Sequence, residues 1–150
     1  MVNFEGLPVE LVLKILSYLP QHSLPTIAEV SAWWKTLAFD PSLWTEVYID
    51  SRFGSSVQYV HGILKSATMI RKLDVSTGPI YLEVVAPVSN RFKLMKELAI
   101  PGRAMSHASM LAGDFELLNI IVMRGRDALL PVDMRALKHF KCIKGITSFS

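Results

Sequence analysis

The sequence predicts two parts in series: a helical module of three short helices over residues 1–45, then an α/β array of short parallel strands over residues 46–150. Three observations predict it. Residues 4–50 are densely apolar and are cut by prolines into segments of helical period. A six-residue pattern, apolar-x-x-apolar-x-apolar, recurs downstream. The intervals between its copies have room for a return helix and two turns, which is how a repeat array announces itself.

Leu7 and Pro8 open the first helix, which the pattern carries to about Leu19; proline is tolerated in a first turn because its missing N–H would have had no intrahelical partner. Glu10, Lys14 and Ser17 lie at i, i+4 and i+7 and make one narrow polar stripe. Val9, Leu11, Val12, Leu13, Ile15, Leu16, Tyr18 and Leu19 fill the rest of the surface. A helix packed on one side needs one apolar face, so this excess asks for two neighbours. Pro20 stops the helix, Ser23 is the expected N-cap of a second, and Pro25 is tolerated in its first turn. A third helix, about Ser31 to Phe39, carries Trp33, Trp34 and Leu37 and ends before Pro41, because the residue before a proline is pushed out of the α region.

The order Leu7-Pro8-x-Glu10-Leu11, Ile15-Leu16-x-x-Leu19-Pro20, Leu24, Val30-Ser31-x-x-Trp34, Leu37-Ala38 and Asp40-Pro41-x-Leu43-Trp44 resembles an F-box. One departure is Ser23, where that family often has an acidic residue; serine caps a helix as well as aspartate does. The resemblance implies a domain that docks on the small adaptor subunit of an SCF (cullin-RING) ubiquitin ligase, and through it on cullin, while holding a substrate-recruiting domain behind it. The adaptor face it implies is Leu7, Pro8, Leu11, Ile15, Leu16, Leu19, Leu24 and Val30. Trp34, Leu37, Leu43 and Trp44 read instead as internal packing between the module and the array.

The recurring pattern runs Trp44-x-x-Val47-x-Ile49, Ile70-x-x-Leu73-x-Val75, Met95-x-x-Leu98-x-Ile100 and Leu117-x-x-Ile120-x-Val122, with a degraded fifth copy at Ile143-x-x-Ile146-x-Ser148. Successive copies lie 26, 25, 22 and 26 residues apart. That is inside the leucine-rich-repeat range of about 20 to 29, and such repeats often follow an F-box in the family the chain resembles. The intervening helices are expected at Val57 to Ser66, within Pro79 to Val88, at Ala104 to Leu111 and at Val132 to Phe140. After each strand the common consensus has an asparagine or cysteine; here Arg52, Gly78, Arg103 and Gly125 stand there. An ordinary α/β domain with evenly spaced strands is the competing reading.

Alternation along each strand sends the residues between the buried ones to the open face. Tyr48, Lys72, Asp74, Glu97, Asn119, Ile121 and Met123 are thus the candidate substrate-facing positions. Ile121 and Met123 are apolar there, which fits either a contact site or cover by the C-terminal segment. The chain stops at Ser148-Phe149-Ser150 where a fifth strand would finish, consistent with an unusual cap over Val132 to Phe140 or with a piece of a longer array.

Charge divides unevenly. Residues 1–50 hold two lysines and six acids, net −4, and residues 51–150 hold fourteen basic residues and seven acids, net +7, which sum to the +3 of the chain. The basic residues are scattered, as on a solvated face; a preference for acidic or phosphorylated partners is the sharper reading. Nucleic acid is disfavoured, since Lys35 is the only basic residue of the third helix and the helical module is net acidic. The longest uncharged run, Ile15 to Ala28, is fourteen residues with two prolines, too short to span a bilayer. A single cysteine, Cys142, suits a reducing compartment, so a cytoplasmic or nuclear location is expected. His22, His61, His107 and His139 have no metal-ligand spacing, the glycines form no phosphate loop, and Cys142 near His139 reads as a buried small residue. The expectation is a non-catalytic, cofactor-free substrate receptor of the ligase for an unknown protein; the alternative is an adaptor-bound scaffold outside ubiquitin transfer.

Overall fold

The computed structural model describes residues 3–50, 52, 57–77, 85–101, 117–118, 120–124 and 145–149. A 3-10 turn, Phe4–Gly6, leads into helices α1 (Val9–Leu16), α2 (Leu24–Ala28) and α3 (Ala32–Ala38). Pro8 is the N-cap of α1. The helix ends earlier than its apolar pattern because the chain tightens: Tyr18 and Leu19 donate to the carbonyls of Ile15 and Leu16, three residues back, and the Ser17 hydroxyl takes the Lys14 carbonyl at 2.6 Å. Ser31 caps α3, its Oγ accepting the Trp34 N–H at 3.3 Å. Ser23 does not cap α2; its hydroxyl donates back to the Pro20 carbonyl at 2.7 Å and secures the turn instead.

A 3-10 turn, Pro41–Trp44, carries the chain out of the helices. Asp40 starts it by accepting the Ser42 N–H at 2.9 Å. Trp44 has no exposed surface, stacks on Phe39 with ring centroids 6.5 Å apart, and donates from Nε1 to the Ala38 carbonyl at 2.9 Å. That bond is what lets an indole be buried without an unpaired donor. Leu37 and Trp44 therefore join the module to the sheet, with Trp34 and Leu43 half-buried against the same core.

The described strands are β1 (Glu46–Tyr48), β2 (Lys72–Asp74), β3 (Glu97–Pro101), β4 (Ile120–Arg124) and β5 (Gly145–Phe149), all parallel and paired in chain order. Helix α4 (Val57–Ser66), at the bounds its periodicity predicts, returns the chain from β1 to β2 and buries Val60, Ile63 and Leu64. Between β2 and β3 the described return is a 3-10 turn, Ala86–Arg91, with Pro87 at its start and Val88 inside. The expected helices at 104–111 and 132–140, and residues 79–84 of the expected one before them, lie outside the described residues, as does Asn119. The strand entrances repeat one arrangement. The Thr45 carbonyl accepts from the Arg71 and Lys72 amides, and the Arg71 carbonyl accepts from those of Lys96 and Glu97.

Register bears out three copies of the pattern and corrects the fourth. Val47, Leu73 and Leu98 share one column, and every apolar position of the first three copies is buried. The next partner of Leu98 is Ile121, not Ile120, and the partner of Ile100 is Met123. The fourth copy is therefore Leu118-x-x-Ile121-x-Met123: Leu118 is 1 % exposed, whereas Leu117 is 48 % and Ile120 36 % exposed. A one-residue slip exchanges the two register columns of a strand, so Ile121 and Met123 take the register positions beside Leu98 and Ile100. Ile146 pairs with Ile121, and the column Val47, Leu73, Leu98, Ile121, Ile146 advances by 26, 25, 23 and 25 residues, more even than the sequence reading.

The free side of β1 is closed by one side chain. The Gln21 carboxamide donates from Nε2 to the carbonyls of Glu46 and, at 3.3 Å, Leu43, and its Oε1 accepts the Tyr48 N–H at 3.2 Å. A strand residue in a parallel ladder bonds to groups two residues apart on its neighbour; Gln21 does the same across Val47.

Candidate functional site

Part of the apolar surface of the helical module stays outside the core, as a stripe on α1. Helix α1 directs Val12 and Leu16 inward, and on a 3.6-residue period this turns Leu11 and Ile15 outward. Leu11 is 53 % exposed, Ile15 43 % and, beyond the helix end, Leu19 39 %. Pro8 is exposed, and Val30, just past α2, is 68 % exposed. Leu7 is half-buried against the core. Leu16 and Leu24, both expected on this face, are 2 % exposed and belong to the chain's own core, so they support the face from behind and are not in it. Sequence reading missed Val9 and Tyr18, both exposed; Tyr18 carries the Lys14 ammonium 5.3 Å from its ring centroid. The signal for Tyr18 was the i, i+4, i+7 spacing of Leu11, Ile15 and Tyr18 on one stripe; Val9 lies off that stripe, and its spacing gave no signal.

The open face of the sheet is a second arrangement. Glu46, Lys72 and Glu97 stand in one register column, and Lys72 Nζ lies 3.3 Å from Glu97 Oε1 and 5.6 Å from the centroid of the Tyr48 ring. Tyr48 donates its hydroxyl to Glu46 Oε2 at 3.2 Å. The hydrogen bond to Glu97 raises the pKa of Lys72 above the usual lysine range. Of the expected substrate-facing residues, Tyr48 is exposed and Lys72 and Glu97 are half-exposed. Asp74 is not: it is 7 % exposed, and its Oδ1 accepts the Ser76 N–H at 3.0 Å and the Ser76 hydroxyl. An aspartate engaged this way holds the turn after β2.

Among the described residues no group of three or more His, Cys, Asp or Glu is placed to hold a metal, and no helix is long and apolar enough to cross a membrane. Cys142, His107 and His139 lie outside the described residues.

Residues 4–50 match the family model for F-box-like domains. The helical module is thus F-box-like, a kind of domain that binds ligase adaptors and thereby cullin, generally in non-catalytic proteins. No curated protein matches the chain.

Proposed function

We propose that the chain is a substrate receptor of an SCF ubiquitin ligase, with the F-box-like domain on the adaptor and a leucine-rich-repeat-like array presenting a substrate protein. The observation that carries the adaptor half is the stripe of Leu11, Ile15 and Leu19, exposed although Val12, Leu16 and Leu24 already fill the core beneath it. Burying large aliphatic groups of this kind contributes roughly 1.5 to 3 kcal/mol each before the costs of association. Support for the array comes from strands parallel in chain order, with one period and one entrance geometry. Tyr48, Lys72 and Glu97 are the substrate-facing residues of this reading, Asn119 beside them in sequence terms alone. In this reading the chain itself carries out no chemistry, and a cytoplasmic or nuclear location goes with its single cysteine. The scaffold alternative shares the adaptor face and differs only in the fate of the bound protein.

The test is co-purification with the adaptor. Leu11→Asp with Ile15→Asp is expected to abolish capture without moving the thermal transition of the chain, since both side chains are exposed. Undiminished capture by that variant removes the docking face from consideration. Leu16→Asp is expected to lose capture through unfolding instead, which circular dichroism separates from the first case.

A further inference from the structure

Three residues ahead of the column Glu46, Lys72, Glu97 and Ile120 stand Leu43, Met69, Leu94 and Leu117. Each immediately precedes the first buried residue of its copy: Trp44, Ile70, Met95 and Leu118. Met69 is 41 % exposed, Leu94 40 % and Leu117 48 %, while Leu43 is half-buried. The same repeat position is therefore apolar in all four copies and solvent-facing in the last three, at the rim where the strands begin. Isolated exposed leucines need no explanation, but a row of them aligned by the fold does.

A second row follows two positions on. Thr45, Arg71 and Lys96 are set side by side by the bonds from the Arg71 amide to the Thr45 carbonyl and from the Lys96 amide to the Arg71 carbonyl, both 2.7 Å. Arg71 and Lys96 are exposed, and among the described residues neither has an acidic partner. Like charges on neighbouring strands repel, and an incoming anion relieves that repulsion.

We infer that this rim docks an amphipathic helix of a partner protein, apolar on one stripe and acidic beside it. Helix geometry suits the row. Strands lie about 4.8 Å apart, so the ridge of Met69, Leu94 and Leu117 crosses three strands in roughly 10 Å, and a helix laid along it advances about 5.4 Å per turn. One turn meets each rim residue. An extended peptide repeats its face every 6.7 Å or so and falls out of step. The acidic flank answers Arg71 and Lys96. A bilayer would also accept apolar and basic groups, but it asks for a broad apolar face, and this ridge is one residue wide. The site is separate from the α1 stripe and does not rest on the adaptor reading.

The probe is a synthetic helical peptide with leucines at i, i+4, i+7 and i+11 and glutamates flanking them, labelled and titrated by fluorescence anisotropy with the full chain on a solubilising carrier. Saturable binding that weakens with salt is expected. It should fall at least about tenfold in Met69→Glu with Leu94→Glu, and by a similar factor in Arg71→Glu with Lys96→Glu, with circular dichroism unchanged. If the apolar pair disturbs folding, the charge pair alone decides. A matched peptide with lysines for glutamates should not bind. The inference is overturned by absent binding, by equal binding of the lysine peptide, by binding indifferent to the charge pair, or by tighter association with phosphatidylserine vesicles than with the peptide. Leu11→Asp with Ile15→Asp should leave the titration unchanged.

Discussion

Adjacent leucines in this chain have opposite roles, and that contrast is measurable. Leu118 is buried at the head of the fourth copy and Leu117 beside it is half in solvent. Leu118→Ala is expected to cost about 2–5 kcal/mol of unfolding free energy. Leu117→Ala should cost under about 0.5 kcal/mol, as exposed substitutions do. Urea unfolding of the two variants checks both, and reversed magnitudes would restore the register read from sequence. A pH effect also belongs to single residues. Asp50 is held below the usual carboxylate range, chiefly by its hydrogen bonds from Arg52, which is exposed. A depressed carboxyl stabilises above its unfolded pKa and loses that contribution as pH falls through the folded value. Acid titration followed by the Asp50 carboxyl resonance should therefore show a midpoint below that of a free aspartate, and Arg52→Ala should return it toward normal. These individual roles were unevenly legible in the sequence. Two frames fit Leu117-Leu118 and Ile120 to Met123 because no polar residue interrupts either run to fix the alternation. Leu16 and Leu24 were assigned by the motif they sit in, and a motif does not say which way a residue faces, least of all for Leu16 on a helix apolar nearly all round.

At the scale of elements, helix α4 and the first three strands were readable because apolar spacing and burial agree there, and a period of two or 3.6 residues is a direct record of which face is covered. The closure of β1 left no such record. Gln21 lies 22, 25 and 27 residues from the groups it bonds, and nothing in local composition marks a polar residue for a long-range contact. Gln21→Leu fills similar volume and removes the hydrogen bonds. It is expected to speed hydrogen exchange of the Tyr48 amide at least about tenfold, the equivalent of about 1.4 kcal/mol, a typical net worth of such a bond. Exchange at the Arg71 and Lys96 amides, bonded within the sheet, should be unaltered. The same variant bares a strand edge, which favours pairing with other chains, so concentration-dependent association in sedimentation is a second expected sign.

For the whole molecule, the governing fact is that one buried cluster runs from Val12 in α1 through Trp44 to Leu118. The F-box-like domain and the early strands share their interior, so they are expected to unfold in a single transition by circular dichroism and tryptophan fluorescence. Removing residues 1–45 strips Trp44 and the helices from Val47 and should yield an aggregating remainder, not a free array. Two separate transitions, or a soluble folded remainder, would contradict this. The intact chain still exposes the α1 stripe, so it is expected to be recovered poorly when expressed alone and well with the adaptor.

Gln21 also sets a rule for how such a chain can change length. A strand added beside β1 would have to displace the carboxamide that stands in the neighbouring position, whereas strands inserted on the far side of β1 leave the junction with the helices intact. Each inserted strand lengthens the sheet by about 4.8 Å. The distance between whatever holds the helices and whatever rests on the far strands is then adjustable in fixed steps, with its origin pinned at a single glutamine.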